Sequence, residues 1–172
     1  MKRISRVLIV IVLMAFGFSL KSGDRPMHEI HSMLMFNFIK YVEWPSEAKS
    51  GNFIIAVVGD ENVASTIQNF YTNRTVKGQT VKVINVENVS SINNAHVLYI
   101  SKNKSREFDE AKEKFVGKST LMITDKNGLG SKGSCINFQE VNGKLKFEIN
   151  QESIKGNNLR ISTQLSSMGI LI

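Results

Sequence analysis

The chain has 172 residues, of which 42% are hydrophobic and 22% are charged. These proportions are typical of a globular protein and exclude a largely disordered chain. The length indicates one domain with a hydrophobic core of its own.

The first 23 residues differ from the rest of the chain. Three basic residues precede an apolar run of 14 residues, Val7 to Leu20, and polar residues follow it. The run is shorter than the roughly 20 residues that a membrane-spanning helix needs. This pattern predicts a signal peptide at residues 1–23, cleaved near Leu20 to Gly23, and therefore an exported protein. Because no A-x-A cleavage site is evident, an uncleaved membrane anchor is the alternative.

The net charge depends strongly on this segment. The formal charge of the whole chain is +7, but residues 1–23 contain four basic residues and no acidic ones, so removing them leaves +3. The remaining basic residues are scattered rather than clustered. A nucleic-acid partner is therefore not expected, because nucleic-acid binding requires a basic patch or stripe.

The first predicted element after the signal is a helix from Met27 to Trp44, with Pro26 at its start and Pro45 at its end. Apolar residues occupy most of its circumference, which predicts burial on more than one side. The polar stripe contains one aromatic residue, Phe36, together with Glu29, Ser32, Lys40 and Glu43.

Strands and helices then alternate, which is typical of an α/β layered domain. The predicted strands are Phe53–Gly59, Thr80–Val86, His96–Ser101 and Thr120–Asp125, with a helix over residues 60–71. Another helix is predicted after Ser105, which is placed to cap it, with Glu107, Asp109 and Glu110 in the first turn.

The last third of the chain predicts an antiparallel hairpin. Two alternating segments, residues 135–141 and 144–150, are joined through Asn142-Gly143, the dipeptide most typical of a tight hairpin turn. A glycine-rich loop precedes them and an apolar C-terminal segment follows, which we expect to dock on the domain. The predicted fold is a single α/β domain, residues 24–172, a layered sandwich with a mixed sheet, helices packed on it and a C-terminal hairpin.

No motif indicates an enzyme or a cofactor. The segment "VGKST" resembles the end of a phosphate-binding loop, but Lys112 stands where that motif needs glycine, and the segment runs from helix to strand. A nucleophile elbow and a recognisable pair of catalytic carboxylates are also missing. We therefore predict a protein without enzymatic activity, with a hydrolase assembled from distant residues as an alternative.

Metal and redox sites are not expected either. His28 and His31 are three residues apart on the first helix, a spacing that permits shared metal ligation, but no acidic cluster completes a ligand set. Cys135 is the only cysteine, so an internal disulfide is excluded. Its predicted role is that of a small buried apolar residue, with an intermolecular disulfide as the alternative.

Several motifs in chain order resemble one family. They are "FNFIKYVEWP" at residues 36–45, "VVGD" at 57–60, "AHVLYIS" at 95–101, "LMITD" at 121–125, and "INF", "GKLKFEIN" and "LRISTQL" between 136 and 165. Together they are similar to the YfiR-like family of small periplasmic proteins, over nearly all of the chain after the signal. One departure is the lone Cys135, since some members of that family carry disulfides.

The resemblance implies a non-enzymatic periplasmic regulator with an α/β fold. Such proteins typically form homodimers and repress a membrane-bound diguanylate cyclase by binding its periplasmic sensory portion. A module that binds a small ligand near the glycine-rich loop and the end of the hairpin is the alternative function.

A binding surface is predicted at Phe36, Glu148, Asn150 and Arg160. The competing interpretation is structural: Phe36 packs against the C-terminal segment, and Glu148 forms a local ion pair with Arg160.

Overall fold

The computed structural model describes residues 25–172, and the predicted signal peptide, residues 1–23, lies outside them. The five α-helices of this part are α1 (Met27–Tyr41), α2 (Glu61–Tyr71), α3 (Phe108–Phe115), α4 (Gln151–Gly156) and α5 (Thr163–Met168). The strands are β1 (Val42–Glu43), β2 (Phe53–Val58), β3 (Thr75–Val76), β4 (Gln79–Val86), β5 (Val97–Ile100), β6 (Leu121–Thr124), β7 (Ile136–Val141), β8 (Lys144–Ile149), β9 (Arg160–Ile161) and β10 (Ile170–Leu171).

Eight of these strands form one mixed sheet in the order β10-β8-β7-β6-β5-β2-β4-β3. The neighbouring pairs from β4 to β7 are parallel, and β7 and β8 form the antiparallel hairpin. The predicted α/β class, mixed sheet and C-terminal hairpin are therefore confirmed. The domain boundary at residue 23 stays a prediction.

Continuous apolar runs explain why the middle of the sheet is parallel. Every residue of β5 and β6 is buried, and so are five of the six residues of β2. Strands with side chains buried on both faces are typical of parallel sheets covered on both sides. After β4 the chain returns to the opposite side of β2 to form β5. The connections thus change direction between β2 and β5, and α/β folds commonly bind ligands at the carboxyl ends of strands at such a point.

The first helix ends three residues earlier than predicted. It stops at Tyr41, and Val42 and Glu43 pair antiparallel with Ile161 and Arg160. The residue before a proline avoids helical backbone angles, so Pro45 already disfavours helix at Trp44. The short strand β9 then provides the backbone hydrogen-bonding partners of Val42 and Glu43. A strand of only two residues has too short a pattern to be predicted from sequence.

The predicted Ser105 cap is wrong. Residues Lys102–Glu107 form a 3-10 helix, and α3 begins after it without a side-chain cap. The Ser105 hydroxyl instead accepts a hydrogen bond from the Lys126 ammonium at 3.2 Å. The Glu107 carboxylate accepts one from the Val89 backbone N–H at 3.0 Å.

The C-terminal segment docks on the sheet as expected. Leu159 and Leu165 are buried, and β10 extends the sheet by pairing parallel with β8. Its last residues remain partly exposed, with Ile170, Leu171 and Ile172 each at 40–47%. Within residues 25–172, every helix is too short or too polar to cross a membrane.

Candidate functional site

Phe36 lies in a groove between α1 and α2. Its ring is half-buried, with its centroid 4.3 Å from that of Phe70 and 6.2 Å from that of Tyr71. The groove has a volume of about 400 Å³ and is also lined by Met33, which is 47% exposed. The centre of the predicted polar stripe of α1 thus faces α2. Phe36 packs against that helix rather than against the C-terminal segment.

Glu148 and Asn150 meet at Gly130 in the glycine-rich loop. The Asn150 amide donates to the Gly130 carbonyl at 2.9 Å, and its oxygen accepts from the Ser153 N–H, which caps α4. The Glu148 Oε2 atom accepts a hydrogen bond from the Asn137 amide at 3.0 Å. The same oxygen would overlap a Cβ atom at residue 130. Only glycine therefore fits this position without displacing Glu148.

Arg160 is exposed on β9, where it lies opposite Glu43 in the register of the two strands. Among residues 25–172 it forms no ion pair, so the alternative of a Glu148–Arg160 pair is wrong. Asn150 and Phe36 line different cavities. The structure therefore joins Glu148 and Asn150 at one loop, and places Phe36 elsewhere.

A cluster that the sequence did not predict lies at the carboxyl ends of the central strands. His31 on α1 is 2% exposed, and its ring stacks on Phe138 with the centroids 4.3 Å apart. Its Nδ1 lies 3.2 Å from the Tyr99 hydroxyl of β5 and 3.7 Å from Oδ2 of Asp125, the residue after β6. The Tyr99 hydroxyl also donates to Asp125 Oδ2 at 3.5 Å. His31, Tyr99 and Asp125 form what we call the edge cluster.

Burial controls the ionisation of the edge cluster. It lowers the pKa of His31 to about 4, and the negative charge of Asp60 opposes this only in part. Burial also raises the pKa of Asp125 to about 6, although Lys102 acts in the other direction. The pKa of Tyr99 is raised, mainly by burial and then by the charge of Asp125. At neutral pH the imidazole is therefore neutral and the carboxyl is largely ionised.

The edge cluster is better suited to binding than to catalysis. An imidazole with a pKa of about 4 is a weak general base at neutral pH, and a buried tyrosine with a raised pKa is a weak nucleophile. The partly exposed Asp125 and the buried His31 instead line a cleft of about 590 Å³. Lys102, Lys126 and Leu145 also line it.

The chain offered one signal for this cluster. Asp60 and Asp125 each lie at or just beyond the carboxyl end of a predicted buried strand, where ligands of α/β proteins commonly bind. The position of His31 on α1 gives no sign of its neighbours Tyr99 and Asp125, because they are distant in sequence. Among residues 25–172, no group of three or more His, Cys, Asp or Glu side chains is arranged to hold a metal ion.

His96 and Cys135 have structural roles. His96 accepts a hydrogen bond at Nδ1 from the Ile54 N–H at 3.0 Å, and its Nε2 donates to the Ala48 carbonyl at 2.8 Å. Cys135 is a buried free thiol, as predicted. It lies beside the Asn157 amide, and burial raises its pKa. A thiol of this kind is a poor nucleophile.

Comparison with known proteins agrees with the resemblance in the sequence motifs. No curated protein matches the chain significantly. The model of the family described as YfiR/HmsC-like matches residues 28–169, which include all but the first residue of α1 and the strands β1 to β9. The chain therefore belongs to the YfiR/HmsC-like family, whose members are periplasmic proteins and act as regulators rather than enzymes.

Proposed function

We propose that this protein is a non-enzymatic periplasmic regulator that binds the periplasmic portion of a membrane-bound signalling protein of the diguanylate-cyclase type and represses it. The family match over residues 28–169 carries this proposal. A regulator of this kind acts through a difference in affinity for two states of its partner, so it needs a surface rather than a reactive group.

We propose that two separate regions contact the partner, the groove at Phe36 and the exposed Arg160 of β9, and that Glu148 and Asn150 hold the glycine-rich loop in place at a third. The groove at Phe36 has an exposed apolar side chain, Met33, on its rim, and Arg160 is a free cation among the described residues. Arginine is one of the residues that most often dominate the energy of protein interfaces, which favours Arg160 as a contact.

Deletion of the gene tests the proposed function in the native host. We expect the cyclic-di-GMP level to rise, and the wild-type gene supplied in trans to restore it. Pull-down after crosslinking of membranes should recover a membrane protein with a periplasmic sensory portion. An unchanged cyclic-di-GMP level together with no recovered membrane protein would contradict the proposal.

Variants of the proposed surface locate the contact. We expect Arg160→Gln to reduce recovery of the partner with little change in stability, because the side chain is exposed and the substitution puts no second acidic residue opposite Glu43. Lys155→Gln is the matched control, an equal charge change at an exposed position of α4 outside the proposed surface. Equal loss of the partner in both variants would assign the effect to overall charge.

We further propose that the protein forms a homodimer, as is typical of the family. The outer edge of β10 is the end of the sheet, and it carries partly exposed apolar side chains. Light scattering after size-exclusion chromatography measures the mass of the particle directly. A mass of one chain at all concentrations up to about millimolar would contradict this proposal.

A second candidate function is that of an exported module that senses a small ligand. The cleft at the edge cluster favours it, because its volume of about 590 Å³ lies in the range of small-molecule sites. A ligand that binds the folded state raises the melting temperature by mass action, which a thermal-shift screen detects.

A further inference from the structure

We infer that the groove between α1 and α2 binds an amphipathic helix of the partner, and that the polar face of this helix is acidic. The inference rests on the proposed function, because it names the chemistry that the groove at Phe36 recognises. It is tested with peptides on the purified protein. Its failure would therefore leave the regulatory proposal, which is tested in cells, unaffected.

The groove extends beyond the cavity at Phe36. A second cavity of about 260 Å³ adjoins the first one of about 400 Å³, because Phe36, Ile39 and Tyr71 line both. Along α1 the lining residues extend from Glu29 to Lys40. At a rise of about 1.5 Å per residue this span is about 16 Å, or about three turns of a helix. The groove therefore has the length of a short helical segment.

The lining of the groove is mainly apolar. The buried and half-buried apolar side chains that line it include Met35, Phe36, Ile39, Ile67 and Phe70. Met33 lies beside them and is 47% exposed, although its side chain is large and apolar. Apolar side chains of a partner would remove this surface from water, which stabilises a complex. A helix with apolar residues at positions i, i+3, i+4 and i+7 presents such side chains along one face.

The charges at the groove are unevenly distributed. The first cavity is lined by one basic and one acidic residue, Arg25 and Glu29. The second cavity is lined by Lys40 and Lys77, and no acidic side chain among the described residues lines it. The end of the groove beside β3 is therefore basic, and we call it the basic end.

The protein itself does not neutralise the basic end. Within residues 25–172, none of Lys40, Arg74 and Lys77 forms an ion pair. The Arg74 guanidinium lies 4.0 Å from the centre of an aromatic ring that lines the first cavity, so it adds positive charge here. Glu43 lines a neighbouring cavity with Lys77, but Lys49 lines that cavity too and offsets the charge of Glu43. Acidic side chains of a partner are the complementary groups.

Two elements fix the position of the basic end. Lys40 belongs to the last turn of α1, and Lys77 belongs to the two-residue turn between β3 and β4. Lys77 and Gly78 both have positive φ, of 51° and 85°, as a tight hairpin turn of this kind requires. The turn thus holds the backbone of Lys77 beside the groove. The helix that fits is apolar where it faces α1 and α2 and acidic where it faces the basic end.

The test uses two labelled peptides of about 14 residues as probes. Both carry leucine at positions i, i+3, i+4 and i+7 and alanine elsewhere on the helix, but the polar face has glutamate in one and lysine in the other. Fluorescence anisotropy measures their binding to the protein purified from the periplasmic fraction. We expect the acidic peptide to bind at least about tenfold more tightly, with an affinity that falls as salt increases. Tighter or equal binding of the basic peptide, or no binding of either, would overturn the inference.

Charge variants assign the binding to the basic end. Lys40→Gln combined with Lys77→Gln removes two exposed charges, and we expect affinity for the acidic peptide to fall by about fivefold. Lys144→Gln combined with Lys155→Gln is the matched control, an equal charge change at exposed positions that line neither cavity. The control should bind within about twofold of wild type. Equal loss of affinity in both double variants would assign the effect to overall charge and overturn the inference.

A change at Met33 tests the apolar contact. We expect Met33→Ala to lower affinity for the acidic peptide by about threefold or more, because less apolar surface is buried in the complex. Met168→Ala is the matched control, since Met168 on α5 is 46% exposed, and its affinity should stay within about twofold of wild type. Light scattering of the same variants detects a second copy in the groove. A dimer that is lost in Met33→Ala, together with no binding of the acidic peptide, would identify a second copy as the occupant and overturn the inference.

Discussion

At the scale of single residues, His31 and Asp125 depart from their ordinary pKa values in opposite directions. Burial lowers the pKa of His31 from 6.5 to about 4 and raises that of Asp125 from 3.8 to about 6. As pH falls below about 6.5, the unfolded chain binds a proton at His31 that the folded chain excludes, so stability decreases. As pH rises from about 4 to about 6, the folded chain retains a proton on Asp125 that the unfolded chain releases, so stability again decreases.

These two contributions oppose each other between about pH 4 and about pH 6, so removing one reveals the other. Relative to wild type, we expect the unfolding free energy of Asp125→Asn to rise with pH, and that of His31→Phe to fall with pH. The slope is at most about 1.4 kcal/mol per pH unit for His31. It is smaller for Asp125, since solvent reaches a quarter of its side chain. Urea unfolding across this range measures both, and pH profiles parallel to wild type would contradict the expectation.

Phe36 is both a packing residue and a proposed contact, and a stability measurement separates these roles. We expect Phe36→Ala to lower the unfolding free energy by about 1–2 kcal/mol, because the half-buried ring loses its contacts with Phe70 and Tyr71. Met33→Ala, at a side chain that is 47% exposed, should change it by less than about 0.5 kcal/mol. Loss of partner binding in a variant that is still folded would then report on the surface. Equal stability of both variants would mean that Phe36 does not pack on α2.

At the scale of elements, the docking of the C-terminal strand β10 depends on Gly169. A side chain there would overlap the ring of Phe147 and the side chain of Ile149 on β8. We expect Gly169→Ala to cost about 1–3 kcal/mol and to increase amide hydrogen exchange in β10, because overpacking displaces the strand.

The matched control lies in helix α4. A side chain at Gly156 would meet open space, so Gly156→Ala should be neutral or should stabilise the protein by up to about 1 kcal/mol. A similar loss of stability in both variants would show that the lack of space beside β8 is not the reason why Gly169→Ala is destabilising.

The side chain of Asn150 joins helix α4 to the glycine-rich loop. It caps α4 at the Ser153 N–H and holds the glycine-rich loop at the Gly130 carbonyl. We expect Asn150→Ala to cost about 1–2 kcal/mol, as is usual for a lost N-cap, and to increase exchange in both the loop and α4. Gln151→Ala at the next, exposed position should leave both unchanged. Loosening of α4 alone would show that the bond to Gly130 does not hold the loop.

At the scale of the whole molecule, residues 1–23 are predicted to direct the protein to the periplasm. We expect mass spectrometry of protein from the periplasmic fraction to give a first residue between 21 and 24, as the signal pattern predicts. Recovery of the intact chain in the membrane fraction would instead identify the uncleaved anchor.

The sequence by itself determined the α/β class, the four central strands and the hairpin. Apolar runs such as Phe53–Val58 and the turn Asn142-Gly143 act locally, so neighbouring residues suffice to predict them. The ordered motifs also indicated the family, since they do not depend on knowing how the chain folds.

The tertiary structure alone decided the end of the first helix and the composition of the cleft. Val42 finds its strand partner at Ile161, and His31 meets a tyrosine 68 residues further along the chain. Such contacts have no periodicity in sequence, because the order of strands in the sheet, rather than chain neighbourhood, brings the partners together. The same holds for Asp125, whose ionisation is set by burial, a property of the whole packed domain.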